Sequence, residues 1–192
     1  MTVHVYFRYM NAKTVENSIT TITELMVPAY ANFSGKVHGG TLLSIMDKVA
    51  YVAAAKHSGA YCVTVAVEGV EFLNPVEVGE LVSFKASVNY VGNTTMIVGI
   101  RVESLNPKTS VVKHTNSCYF TMAAKDENGA LMQVPELILE NEDQIRRFCE
   151  GRVLRDYSKK KRDLLKSDLK GLSYAQLIEQ CNEERCVVNI KG

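Results

Sequence analysis

The sequence predicts an α+β fold in which one long helix packs against a strongly curved antiparallel sheet, and three observations predict it. In the first 130 residues a single stretch, 41–57, repeats its apolar residues at helical spacing. Four segments that follow it alternate apolar and polar side chains with a period of two. The parity of that alternation switches at Gly69, which marks a bulge that bends a strand.

Taken in order, residues 1–18 are a leader with a short strand expected at 3–9, and no function is built on them. Residues 19–28 are β-branched and apolar and close on Pro28, which cannot continue a ladder, so they predict the first strand. The stretch from Asn32 to Gly40 is too glycine-rich for either regular element. In the helix, Leu42, Leu43, Met46, Val49, Ala50, Ala53 and Ala54 fall on one stripe that His57 extends, and Ala53-Ala54-Ala55 keeps a flank thin enough to sit close to a sheet. Tyr61, Val63, Val65 and Val67 share one face of the next strand before Val70 and Phe72 take the opposite parity. The alternations at 82–90 and 96–102 predict two one-sided strands joined by a hairpin at Gly92-Asn93-Thr94. Asn106-Pro107-Lys108 turns the chain into a long strand over 111–124, and residues 126–129 form another turn.

Beyond Pro135 the composition changes. Residues 146–170 hold ten Lys or Arg against four Asp or Glu, which predicts a helical appendage. Ile145, Phe148 and Cys149 form a narrow apolar stripe interrupted by Gly151. Ser173 and Gln176 have the spacing of a capping box ahead of a last helix. The expected division is therefore a leader at 1–18, a core domain at 19–135 and a helical extension at 136–192.

With 192 residues, 46% hydrophobic and 22% charged, the chain has the composition of a globular protein with its own core. Its 22 Lys+Arg against 21 Asp+Glu leave a net charge of +1, which argues against wholesale attraction to nucleic acid or an anionic membrane. Five cysteines form no CxxC pair and no Cys/His cluster at zinc spacing, so reduced thiols in the cytoplasm and no metal are expected. No stretch approaches the roughly 20 apolar residues of a membrane span.

Chemistry concentrates where the glycine-rich loop meets the helix. The first N–H groups of a helix lack intrahelical acceptors, and Gly39-Gly40 lets a ligand oxygen approach them without a Cβ in the way, which suits a developing oxyanion. Asp47 falls at the margin of the buried stripe, where a carboxylate suits a nucleophile or a base that activates water. Asn32 has an amide that both donates and accepts, and it suits orienting water or a carbonyl. The plainer readings are a salt bridge between Asp47 and Lys48, a turn role for Asn32, and a structural role for His38, His57 and His114. Of the latter, His38 is read as positioning the loop.

The motif Asn32-x-x-Gly35-x-x-His38-Gly39-Gly40, then Leu43 and Asp47-x-x-Ala50, with Thr64-Val-Ala-Val-Glu68, resembles the hot-dog-fold acyl-CoA thioesterases of the broad-specificity bacterial and brain cytosolic type. The resemblance spans roughly residues 20–135. It implies a helix wrapped by a sheet and hydrolysis of fatty acyl-CoA to free acid and CoA, without metal or cofactor, at the interface of a homodimer that associates into a trimer of dimers. It implies Asp47 as the catalytic acid residue, Asn32 as its amide partner and Gly40 or Gly39 as oxyanion donor, with His38 and Thr64 against the substrate. The hairpin Gly92-Asn93-Thr94-Thr95 resembles the one that contacts the nucleotide part of CoA, although Asn93 stands where a basic residue is common. Two other readings compete. A non-catalytic acyl-CoA sensor would share the fold, and the presence of both Asn32 and Asp47 favours the enzyme. A hot-dog dehydratase would carry a His-Phe-Pro loop, which is missing. The basic run 159–162 has no interleaved aromatics beyond Tyr157, so no nucleic-acid partner and no membrane partner are expected.

Overall fold

The computed structural model describes residues 12–182 and 184–190. The strand expected at 3–9 lies outside the described residues. Among them, β1 (Lys13–Thr14) leads into a 3-10 turn (Val15–Ser18), β2 (Thr20–Leu25) and a second 3-10 turn (Pro28–Tyr30). Helix α1 (Gly39–Ser58) follows, then β3 (Tyr61–Phe72), β4 (Leu81–Val91), β5 (Thr95–Leu105), β6 (Val112–Lys125), β7 (Leu137–Ile138), α2 (Glu142–Leu169) and α3 (Tyr174–Asn182). Five strands form one antiparallel sheet in the order β2-β4-β5-β6-β3, with β3 at one edge. β1 and β7 form a separate parallel pair.

Helix α1 sits on the concave face of this sheet. Ile45, Met46, Val49, Ala50, Ala53 and Ala54 are buried against Val82, Phe84, Val88, Val98, Phe120 and Met122, and most of these side chains are wholly removed from water. The run of alanines leaves the thin flank that this close approach requires. Gly69 takes φ +59° where the β3–β6 register slips between Glu68 and Glu71, a conformation that L side chains rarely adopt. A second slip, between Thr64 and Ala66, adds curvature that the alternation of valines conceals.

Four expectations change. The first strand stops at Leu25, because a 3-10 turn opens on Pro28. Gly39 and Gly40 are the first two residues of α1 rather than part of the loop. Tyr90 does not share the face of Val88. The ladder slips between them, so Val88 pairs with Val98 and Tyr90 with Ile97, and Tyr90 turns to the opposite side of the sheet. There its ring lies 4.9 Å from that of Phe148. Gly151 does not interrupt the apolar stripe, since α2 runs through it, and a Cβ at that position would lie 2.5 Å from the Cβ of Tyr90.

The compact unit accordingly runs to Gly151, and the described residues from Arg152 onward form a second one. Val15 and Ser18, in the expected leader, are buried in the first, where Ser18 Oγ accepts from the Val88 N–H at 2.9 Å. In the second unit Ser173 N–H donates to Gln176 Oε1 at 2.8 Å, the reciprocal cap that its spacing predicts. Alanine is favoured over glycine inside a helix by about 1 kcal/mol, yet overpacking costs about 1–3 kcal/mol. The clash with the stem of Tyr90 outweighs the propensity, so Gly151→Ala is expected to lower stability in urea unfolding. A rise in the midpoint would contradict this packing.

His57 is fully buried at the end of α1, and its Nε2 lies 3.0 Å from the carbonyl oxygen of Pro135. Burial holds its pKa below the ordinary histidine value, against the hydrogen bond to Pro135. It ties the segment after β6 to the helix, which is a structural role.

Candidate active site

Asp47 is exposed on α1, and its Oδ1 accepts a 2.6 Å hydrogen bond from the Thr64 hydroxyl. This pairing arises because Asp47 stands one turn from the partly buried Leu43 and the buried Ala50 while Thr64 follows the buried Cys62 on β3, so helix margin and edge strand face one another. No salt bridge joins Asp47 to Lys48 among the described residues, which leaves the carboxylate available for chemistry. The pair stands at a groove of about 380 Å³ walled by Asp47, Lys48, Tyr51 and Val52 of α1 and by residues 61–64 of β3.

At the start of α1, His38 caps the helix. Its Nδ1 accepts from the Gly40 N–H at 3.0 Å, which requires Nδ1 to be unprotonated. That bond occupies the donor expected of Gly40. The Gly39 N–H has no acceptor among the described residues, and it becomes the donor free for an oxyanion. Its approach is shaped by Phe72, whose ring edge would stand 3.1 Å from a Cβ at Gly39.

Asn32 organises the loop before this helix. Its Oδ1 accepts from the Ser34 N–H at 2.9 Å, the Ser34 hydroxyl at 2.7 Å and the Lys36 N–H at 3.2 Å. The turn role and a substrate role therefore coexist, because the Nδ2 of the same amide has no acceptor among the described residues. Gly92, Asn93, Thr94 and Thr95 form the expected hairpin, closed by Gly92 N–H to Thr95 O at 2.7 Å. Thr95 pairs with Ala123, and Ala123 with Val63. The hairpin thus lies in the same row of the sheet as the groove but two strands away, about 10 Å.

Among the described residues no hydrogen bond joins Asn32 or Gly39 to Asp47. Gly39 and Asp47 are eight residues apart on one helix, which separates them by about 12 Å along its axis. A carbonyl held by the Gly39 N–H is then out of direct reach of the Asp47 carboxylate on the same protomer.

Residues 34–111 match the family model of the thioesterase superfamily. The chain is 46% identical over 142 residues to Protein VdlD of Helicobacter pylori strain 26695, covering 74% of this chain and 80% of that one. It is 32% identical to the protein in the crystal structure of an apo-hexameric acyl-CoA thioesterase, with a TM-score of 0.76, covering 81% of this chain and 99% of that chain. The chain belongs to the hot-dog-fold acyl-CoA thioesterases. An acyl-CoA hydrolase from Bacillus cereus is 29% identical with a TM-score of 0.71, covering 80% of this chain and 98% of that one. The human cytosolic acyl coenzyme A thioester hydrolase is 29% identical over 141 residues, which are 72% of this chain but 37% of that longer protein. Membership makes this chain a thioester hydrolase by class, and the helix-on-sheet architecture agrees with it.

Proposed function

We propose that this protein hydrolyses fatty acyl-CoA to free fatty acid and CoA at a site shared by two copies of the chain. The observation that carries the proposal is the exposed Asp47 carboxylate, held by Thr64 beside the groove and too far along its own helix from the free Gly39 N–H to act on the same carbonyl. A second copy supplies the missing half. Edge strand β3 supports this pairing, since its apolar Tyr61, Val65 and Val67 are 60%, 55% and 40% exposed. An apolar face open along a sheet edge favours covering by another strand. The solved hexameric relative is in keeping with further association into a trimer of dimers.

In this reading the thioester oxygen rests on the Gly39 N–H of one copy, where charge accumulates as the carbonyl carbon becomes tetrahedral. The Nδ2 of Asn32 orients the carbonyl or the attacking water. Asp47 of the other copy removes a proton from water, the oxygen bonds to the carbonyl carbon, and the C–S bond breaks as the proton passes to the CoA sulfur. The competing route is direct attack by Asp47, which expels the CoA thiolate and forms an acyl anhydride; where water opens that anhydride at the Asp47 carbonyl, heavy oxygen from solvent appears in Asp47 after one turnover. Every step uses side chains and backbone of this chain, so no metal or cofactor is invoked. The hairpin 92–95 is assigned to the nucleotide end of CoA, on its position in the same row as the groove.

We place the activity in the cytosol, on five free cysteines and a cytosolic human relative. Among the described residues no helix is long and apolar enough to cross a membrane, and no group of three or more His, Cys, Asp or Glu is arranged to hold a metal ion. Release of free CoA from a panel of acyl-CoAs by the purified protein tests the proposal. Turnover is expected. Binding of acyl-CoA with no release at any chain length would overturn it and turn the reading to a sensor.

A further inference from the structure

Beside the Asp47–Thr64 pair the groove is lined by two aromatic side chains. Tyr51 stands one helical turn beyond Asp47, on the same margin of α1. Tyr61 opens β3, three residues before Thr64. Their ring centroids are 6.1 Å apart with planes inclined at 58°, an edge-on contact between helix and strand. Both line the groove. Both are partly exposed, Tyr51 at 39% and Tyr61 at 60%, so their faces are not consumed by the core.

One end of the groove is therefore polar and reactive, and one wall a turn away is aromatic. A turn of helix is about 5.4 Å, which is the depth available to an acyl chain running from a carbonyl at Asp47 toward the tyrosines. Of the remaining lining, Val52, Cys62 and Val63 are apolar and suit a hydrocarbon, while Lys48 stands beside Asp47 at the polar end. Beyond Tyr61 the strand turns back to the helix through Gly59 and Ala60, so the rings stand where a longer chain would have to continue.

We infer that the Tyr51–Tyr61 pair is the stop of the acyl pocket and sets a preference for short acyl chains, an inference that rests on the thioesterase reading above. The rings act by occupying volume, not through their hydroxyls. Removing either ring lengthens the pocket, and discrimination per methylene in an apolar pocket is about tenfold or more.

The test measures kcat/KM for acetyl-, butyryl-, octanoyl-, dodecanoyl- and palmitoyl-CoA with the full-length wild type, Tyr51→Ala, Tyr61→Ala and Tyr51→Phe. The wild type is expected to favour butyryl-CoA over dodecanoyl-CoA. Each alanine variant is expected to raise the dodecanoyl-to-butyryl ratio by about tenfold or more, while Tyr51→Phe keeps the wild-type ratio. An unchanged ratio in both alanine variants, or a wild type that favours palmitoyl-CoA, overturns the inference and leaves the thioesterase reading standing. No release from any substrate by the wild type overturns the thioesterase reading itself. Tyr61 lies outside the buried core of the chain but on the face assigned to the second copy, so Tyr61→Ala carries the test if Tyr51→Ala fails to fold, with the mass of the assembly measured alongside.

Discussion

Replacing Asp47 by asparagine is expected to lower kcat for CoA release by about 10²- to 10⁴-fold, the range that a positioned general base contributes. The substitution isolates charge and basicity from shape. Asparagine has the same outline, and its Oδ1 still accepts from the Thr64 hydroxyl that now lies 2.6 Å from the carboxylate. Asp47 is exposed, so no buried contact is lost and the free energy of unfolding is expected to stay within about 0.5 kcal/mol of wild type. Free thiol release, with an enzyme blank for the five cysteines, measures the first quantity and thermal unfolding the second. Loss of activity together with loss of stability would assign Asp47 to structure instead.

The largest effect on stability is expected far from the site. Glu80, at the start of β4, is 2% exposed, yet it is charged, because Lys113 of β6 lies 2.9 Å away and the Glu77 N–H donates to it at 3.1 Å. Desolvation pushes its pKa up, but Lys113 and these hydrogen bonds prevail and hold it below the ordinary glutamate value. Lys113→Met leaves that buried charge with the Glu77 N–H but no counter-charge, which costs about 3 kcal/mol, the low end for breaking a buried pair. The pH dependence should weaken as well. In the wild type a depressed folded-state pKa means that the pair's stabilisation is present above the unfolded value near 4.5 and is lost as pH falls below it. In Lys113→Met the hydrogen bond from the Glu77 N–H still opposes desolvation but the ammonium no longer does, so the folded-state pKa rises relative to the wild type and less stability is lost as pH falls. Urea unfolding of both proteins at pH 7 and at mildly acid pH checks both parts, and equal stability at pH 7 would refute the pairing.

How much of this was legible in the sequence follows from which interactions are local. Helix α1, the edge strand β3 with its Gly69 bulge, and the hairpin at 92–94 can be read directly, because each is written in period, parity or turn chemistry within a few residues. The two glycines that begin α1 were legible only as breakers, since a helix start is decided by what caps it, here His38 two residues before Gly40. Tyr90 and Gly151 were misread for a related reason. Their contact joins β4 to α2 across 61 positions of chain, and neither residue's neighbours in sequence report a slip in the ladder at Val88. In the site, Asp47 and Thr64 were legible as residue types, and their 2.6 Å bond is a product of the fold. The choice of Gly39 over Gly40 as the free donor depends on the orientation of one imidazole, which no spacing encodes.

The central claim is that Asn32 and Gly39 of one copy and Asp47 of another complete one active site. Mixing two inactive proteins tests it most directly. Asn32→Ala and Asp47→Ala are each expected to lose at least about 10²-fold in CoA release. After subunit exchange, half of the dimers formed at random are mixed, and each mixed dimer has one site with both residues intact and one with neither. Activity is therefore expected to return to about one quarter of wild type. If exchange is verified by mass and activity stays at the level of the single variants, each site is built within one chain and the shared-site account is wrong.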